Sequence, residues 1–284
     1  MAGHWSYRIK DAYARSARAA GRALTGLGVL PRRPPDRSQR LRHWLVSLTR
    51  VHDSLAIAEL DVPWWTYTAI DVVDAWLKAR PRPIRVFEFG SGASTLWLAH
   101  RVDEVHTVEH HAGFAARMRP EFAAHPHVTL HEVEARWSTR PGVPSGKAGH
   151  AGLDFADYVT AIDRVGGRFD LIVIDGRARE ACLQAAIPHL AADGLVVYDN
   201  SSRQRYRRAI EGSGLVERRL AGLTPTLPYP EQTSLLTRPG NRAVPPASWP
   251  AGRRSGGSRP RIRYSRIQLS AKGISGASGE VALG

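Results

Sequence analysis

The stretch VFEFGSGASTLWLA, residues 86 to 99, decides the fold. A β-branched and aromatic run carrying one acid, Glu88, meets Gly90 and Gly92, with Ser91 between them, and turns into a second apolar run headed by Ser94 and Thr95. A short apolar run, a glycine turn and a longer apolar run make a buried strand leading into a helix. Gly90 and Gly92 permit backbone torsions and close ligand approach that a Cβ would obstruct, and Ser94 or Thr95 suits the helix cap. In an open parallel sheet, ligands bind beyond the carboxyl ends of the strands, where the first strand's turn does the holding.

Reading outward, IRVFEF, EVHTVE, HVTLHEV, FDLIVID and GLVVYD alternate with helix-length segments from residue 84 onward. This alternation predicts parallel strands joined by right-handed crossovers, with helices on both faces. After Asp199 we expect a helix from Arg203 and strands over residues 215 to 221 and 232 to 238. Upstream, Pro63 predicts a helix start before apolar positions at Ile70, Val73 and Leu77. An Arg-rich helix is expected over residues 39 to 56. Over residues 5 to 25, Trp5, Ile9, Ala12, Ala20 and Leu24 share one stripe among arginines, which predicts a basic amphipathic helix. The chain divides into a basic helical extension (1–60), the sheet domain (61–238) and a Gly/Pro/Ser/Arg-rich tail (239–284) expected to be disordered.

The formal net charge of +14 is segregated. Residues 1 to 50 carry +9 and residues 237 to 284 carry +8, so the middle is weakly acidic. The basic pI therefore describes the ends, and no nucleic-acid partner is expected across the middle. The N-terminal basic helix would suit peripheral contact with an anionic membrane, or docking on its own domain or a partner. A single cysteine, Cys182, excludes an intrachain disulfide framework. With no apolar run near the ~18 residues of a membrane span and no signal-peptide core, a cytoplasmic protein is expected. Oligomeric state is not legible.

Nineteen residues after Gly90, EVHTVE ends in Glu109. An acid about 20 residues past the glycines, at the tip of the second strand, can take both hydroxyls of an adenosine ribose. A dinucleotide turn wants a third glycine where this chain has Thr95, and a triphosphate loop needs a Gly-Lys-Ser/Thr that is missing.

FEFGSGASTLWLA, VEHH, FDLIVIDGRARE and GLVVYDNSSRQRY, in that order and spacing, resemble class I S-adenosylmethionine-dependent methyltransferases, in particular their small-molecule O-methyltransferase-like branch. The resemblance covers residues 60 to 238. It implies an α/β Rossmann-like three-layer sandwich whose seven-stranded, mostly parallel sheet has an antiparallel last strand, here with N-terminal helices added. It further implies S-adenosylmethionine as cofactor, with Glu88, Gly90, Ser91 and Gly92 beside its methionine portion, Glu109 on the ribose, His110 near the adenine and Asp175 at the cofactor's edge. The partner would be a small-molecule acceptor. Trp64, Trp65 and Tyr67 occupy the position where relatives fold a helix over the cofactor, and core packing is the competing role for them. Tyr229 stands where acceptor pockets are often completed, or in a rigid Pro-flanked turn.

Asp175 ends FDLIVID, and Asp199-Asn200 end GLVVYDN. Successive parallel strands bring their tips side by side, and two carboxylates with an amide suit a hard divalent ion such as Mg2+. The set is similar to the metal site of catechol O-methyltransferase-type enzymes, where the ion lowers the pKa of the acceptor oxygen. Here IDGR departs from that pattern, and Arg177 or Arg179 would serve to neutralise the acids instead. Without a metal, Asp199 is the candidate general base, with His110 behind it. An NAD(P)-linked oxidoreductase and a non-catalytic binding module with basic tails are the alternative readings.

Overall fold

Seven strands form one sheet, and two more form a separate pair. The computed structural model describes residues 16, 19–21, 23–28, 30–31, 33–50 and 54–241. The first helices are α1 (Arg40–Ser47), α2 (Ser54–Ala58) and α3 (Tyr67–Ala79). The domain continues with β1 (Arg85–Phe89), α4 (Ala93–Ala99), β2 (Glu104–Glu109), α5 (Ala112–Ala123) and β3 (Val128–Glu132). An antiparallel pair, β4 (Arg136–Trp137) and β5 (Leu153–Asp154), and the short helices α6 (Ala156–Val159) and α7 (Ala161–Val165) come next. The chain closes with β6 (Phe169–Ile174), α8 (Arg179–His189), β7 (Leu190–Tyr198), α9 (Gln204–Glu211), β8 (Val216–Gly222) and β9 (Glu231–Thr237).

The pairings β1–β2, β1–β6, β2–β3 and β6–β7 are parallel, and β9 runs antiparallel between β7 and β8. This is the expected three-layer α/β architecture with an antiparallel last strand. The period of two along each strand divides the core. Val86, Leu171, Val173, Leu195 and Val197 face one apolar cluster, while Phe87, Phe89, Ile172, Ile174 and Val196 face the other. Strand order reverses between β1 and β6, so a crevice opens beyond their carboxyl ends.

Several expected boundaries move. Helix α3 starts at Tyr67, capped by Thr66, whose hydroxyl accepts from the Ala69 N–H at 3.3 Å; Pro63 lies outside the helix. The helix expected over residues 39 to 56 is divided into α1 and α2, and the hydroxyls of Ser47 and Thr49 hydrogen-bond back to the carbonyls of Trp44 and Val46 at the end of α1. Val46 and Ile57 enter the same core as the sheet, so this part of the N-terminal region packs with the domain. Of the basic helix expected over residues 5 to 25, residues 16, 19–21 and 23–25 are described and are helical; the rest of it and the tail beyond residue 241 lie outside the described residues. Among the described residues no helix is long and apolar enough to cross a membrane.

Asp74 on α3 ties these layers together. Its buried carboxylate accepts from Arg37 at 2.8 Å, Lys78 at 2.9 Å and Arg101 at 2.9 Å, and Arg101 also stacks over the Trp97 ring at 4.2 Å. Burial opposes ionisation here, but hydrogen bonds from Lys78, Arg101 and Arg37 outweigh it and hold the carboxyl at about 2. A depressed carboxyl stabilises the fold above its unfolded pKa, and the contribution is lost as pH falls through the folded value. Asp74→Asn should therefore cost about 2 kcal/mol at pH 7, because it leaves the half-buried guanidinium groups of Arg37 and Arg101 short of a counter-charge. Denaturant titrations of both proteins should show this difference at pH 7 and a much smaller one near pH 2.

Candidate active site

Beyond the tip of β1 the backbone crosses the turn that follows β6. Gly90 has φ +101°, and a Cβ there would lie 2.7 Å from the Gly176 Cα. Two hydrogen bonds extend the sheet into this crossing, from the Gly90 N–H to Val108 O at 3.0 Å and from the Asp175 N–H to Phe89 O at 3.0 Å. The clearance provided by Gly90 is thus for the protein's own backbone. Gly92 differs. Its backbone is extended, and the nearest atoms to an added Cβ, Phe114 Cζ and Ser54 Oγ, are 3.9 Å away. It lines an open cavity.

That cavity, about 470 Å3, is bordered by Gly92, Glu109, His110, His150, Asp175 and Trp64 among others. Gly90 and Ser91 border it as well, so the expected cofactor residues of the turn and of β2 meet in one place. Glu109 uses both carboxylate oxygens. One accepts from the N–H groups of His110 and His111, each at 2.9 Å, and the other from the Ser91 N–H at 3.3 Å and the Ser91 hydroxyl at 3.1 Å. The His110 Nδ1 lies 2.9 Å from the same carboxylate. His111 is the N-cap of α5, its Nδ1 accepting from the Phe114 N–H at 3.0 Å.

Glu88 is fully buried beneath the turn. The hydroxyls of Thr95 and Thr107 donate to its Oε2, and Thr95 Oγ1 also accepts from the Gly92 N–H at 2.9 Å. Thr95, where a dinucleotide turn has glycine, thus ties the turn to the acid below. The Glu88 Oε1 has no hydrogen-bond partner. Burial pushes this carboxyl up to about 7 against hydrogen bonds from Ser94, Thr95 and Thr107. The residue itself does not border the cavity; Gly90, Ser91 and Gly92 of the turn above it do.

The acids at the sheet's edge do not form the expected metal site. The Arg179 guanidinium donates to Asp175 Oδ1 at 2.6 Å and to the carbonyls of Asp175 and Asp199, and it lies 4.0 Å from the Asp199 carboxylate. Arg179 is buried, so its permanent charge takes the place of a cation between the two acids. Asp199 Oδ1 accepts from the Thr233 hydroxyl at 2.8 Å, and the residue borders neither this cavity nor its neighbour. Burial raises the pKa of both acids, and Asp175 raises Asp199 further. Asn200 sits in left-handed backbone, φ +50°, and borders the neighbouring cavity. The set Asp175, Asp199 and Asn200 therefore does not fit a divalent ion, and Asp199 is not placed as a general base. Among the described residues no cluster of three or more His, Cys, Asp or Glu suits a metal.

Two features were not legible in sequence. His150 enters the cavity from the β4–β5 insertion, its ring 5.9 Å from that of His110. Of the aromatic residues before β1, only Trp64 borders the cavity; Trp65 packs on Trp97 at 5.7 Å, and the Tyr67 hydroxyl pairs with His43 at 2.7 Å. Tyr229 is half-exposed and borders neither cavity.

Residues 87–201 match the model of a methyltransferase domain family. Over those residues the chain is similar to methyltransferase domains. S-adenosylmethionine is the cofactor of that family, and the residues present fit it: an open glycine turn and, at the tip of β2, Glu109, which border one cavity. Among solved structures, the chain is similar to a precorrin-6y C5,15-methyltransferase from Geobacter metallireducens (12% identity, 61% of this chain and 87% of that one, TM-score 0.40). It is also similar to a methyltransferase-like protein from Silicibacter pomeroyi (24% identity, 63% and 89%, TM-score 0.40). A third is the N-methyltransferase NodS from Bradyrhizobium japonicum (12% identity, 59% and 90%, TM-score 0.38). No curated protein sequence matches the chain.

The two glycines should respond differently to a methyl group. Gly90→Ala meets Gly176 and carries an unfavourable φ, so it should destabilise the fold by roughly 1–3 kcal/mol. Gly92→Val should leave the melting temperature within a few degrees of native while cutting affinity for S-adenosylhomocysteine about tenfold or more. Glu88 is a separate case. Because its raised pKa makes the ionised form the costly one in the fold, stability falls as pH rises from about 4 through 7. Glu88→Gln should therefore be at least as stable as native at pH 8 by thermal melts, yet bind S-adenosylhomocysteine more weakly by calorimetry.

Proposed function

We propose that the protein transfers the methyl group of S-adenosylmethionine directly to an oxygen of a small-molecule acceptor, without a divalent metal. One observation carries the reading: the cavity above the glycine turn adjoins a second, of about 320 Å3, and the two share Trp64, Gly176 and Arg177 in their walls. Cofactor and acceptor would meet across that common wall, in a space of small-molecule size. S-adenosylmethionine supplies an electrophilic methyl on a sulfonium. The protein's own part is to align the acceptor, exclude water and accept a proton. Trp64, fixed by its indole N–H donating to the Thr226 hydroxyl at 2.9 Å, supplies an apolar wall to both cavities.

Oxygen is favoured over an exocyclic base amine because β6 ends in IDGR, not in the Asn/Asp-Pro-Pro-aromatic motif that grips such amines. The proton acceptor is an imidazole of the cavity, His150 or His110. Burial first, and then the charges of Arg177 and its neighbours, lower the pKa of His150 and keep it neutral, as a base must be. Its Nε2 accepts from the Arg177 Nε–H at 3.4 Å, a long hydrogen bond that the acceptor's hydroxyl would displace.

Calorimetry should show one S-adenosylhomocysteine bound per chain and no binding of NADH; the reverse pattern would replace this reading with an oxidoreductase. In a radiolabelled methyl-transfer assay over hydroxylated small molecules, turnover should be the same with and without EDTA. Loss of turnover in chelator, restored by Mg2+, would overturn the metal-free mechanism. His150→Gln should lower turnover by about 100-fold with little change in S-adenosylhomocysteine affinity.

A further inference from the structure

We propose that the second cavity is the acceptor subsite and that it selects acceptors bearing an anionic group, a phosphate or a carboxylate. The inference rests on the methyltransferase reading and adds the substrate class. Its walls bring together Lys147, Arg177, Arg179, Arg203 and Arg205, and among the described residues the one carboxylate bordering the cavity is that of Glu180. These cations come from three separate parts of the chain, namely the β4–β5 insertion, the turn after β6 and the start of α9.

What distinguishes the cluster is its shortage of counter-charge. Elsewhere in the fold, arginines near the core meet acids closely: Arg80 pairs with Asp170 and Asp193, Arg101 with Asp61 and Asp74, and Arg207 with Glu217. At this cavity Arg179 is committed to Asp175. Arg177 and Arg205 form no ion pair within 4.0 Å among the described residues, and Arg203 reaches Glu231 only at 3.9 Å. Arg205 is held by neutral groups, donating to Gly146 O at 3.3 Å and to the Tyr206 hydroxyl at 3.0 Å, with its guanidinium 4.7 Å above the Tyr206 ring. Those contacts orient a cation without neutralising it. Arg177, half-buried in the wall shared with the cofactor cavity, has its proton affinity lowered by burial and then by the like charge of Arg179.

A concave site with several unneutralised guanidinium groups is complementary to an oxyanion, which would accept charge-assisted and bidentate hydrogen bonds there. Arg203 and Arg205 stand exposed at the rim, where they would draw in the anion; Arg177 lies deeper, next to the cofactor cavity. The anionic group would thus be anchored on the acceptor side of Trp64, leaving the methylated atom to face the cofactor cavity.

The test uses the full chain and two probes, inorganic phosphate and acetate, titrated by calorimetry with S-adenosylhomocysteine present. Binding of one of them at one site per chain is expected, and which one binds distinguishes a phosphate-bearing from a carboxylate-bearing acceptor. The double variant Arg203→Gln/Arg205→Gln should weaken that binding about tenfold or more. Arg208→Gln, exposed on the same helix but away from this cavity, should leave it unchanged. S-adenosylhomocysteine affinity should be the same in all three proteins. Absence of binding by both probes, or equal binding by the double variant, would overturn the proposal. Failure of the native protein to bind S-adenosylhomocysteine would instead overturn the methyltransferase reading on which it rests.

Discussion

The contact between Gly90 and Gly176 is the constraint on which the site depends. Two central strands end side by side, and their following turns pass so closely that a Cβ on either residue would strike the other's backbone or, for Gly176, the Tyr158 hydroxyl at 2.0 Å. Because the two turns cross there, the chain after β1 swings into the Gly92 turn and α4, and the chain after β6 carries Arg177 and Arg179 outward. One crossing therefore separates the cofactor cavity from the basic cavity and gives them a common wall.

Electrostatics then distinguishes the two sides. Beneath the glycine turn a buried acid, Glu88, keeps one oxygen unpartnered, an arrangement that costs stability. On the other side arginines collect with little counter-charge. Arg179 stands between them and compensates Asp175 and Asp199 from within the fold. A divalent ion brought to these acids would meet that guanidinium at close range. Arg179 thus takes the place between the two acids that a dissociable cation would need.

Much of this was legible in the sequence, for identifiable reasons. The central strands β1, β6 and β7 declare themselves because they are mostly buried on both faces and so read as near-continuous apolar runs, and Gly92 and Glu109 are recognisable from chain spacing alone. Spacing does not report which side chains meet after long-range packing. Asp175 and Asp199 share a sheet edge as their strand positions require, yet the helix that follows Asp175 returns Arg179 between them, and either outcome was compatible with IDGR. His150 was missed because the β4–β5 insertion has neither helical nor strand periodicity. Its course is set by Asp154, whose carboxylate accepts from the N–H groups of Gly142, Val143 and Ala156. The tryptophan pair was ambiguous for the same reason: neighbouring aromatics point to opposite surroundings, Trp64 to the cavities and Trp65 to the core.

The central claim, that the crevice between the ends of β1 and β6 holds an adenosyl cofactor, is tested most directly by a crystal structure of the full chain with S-adenosylhomocysteine. The account predicts ribose hydroxyls within hydrogen-bond distance of the Glu109 carboxylate, the methionine amino group on the side of Glu88, and the sulfur directed toward the wall formed by Trp64 and Arg177. Density for the ligand at any other place, or a ribose that does not touch Glu109, would contradict it.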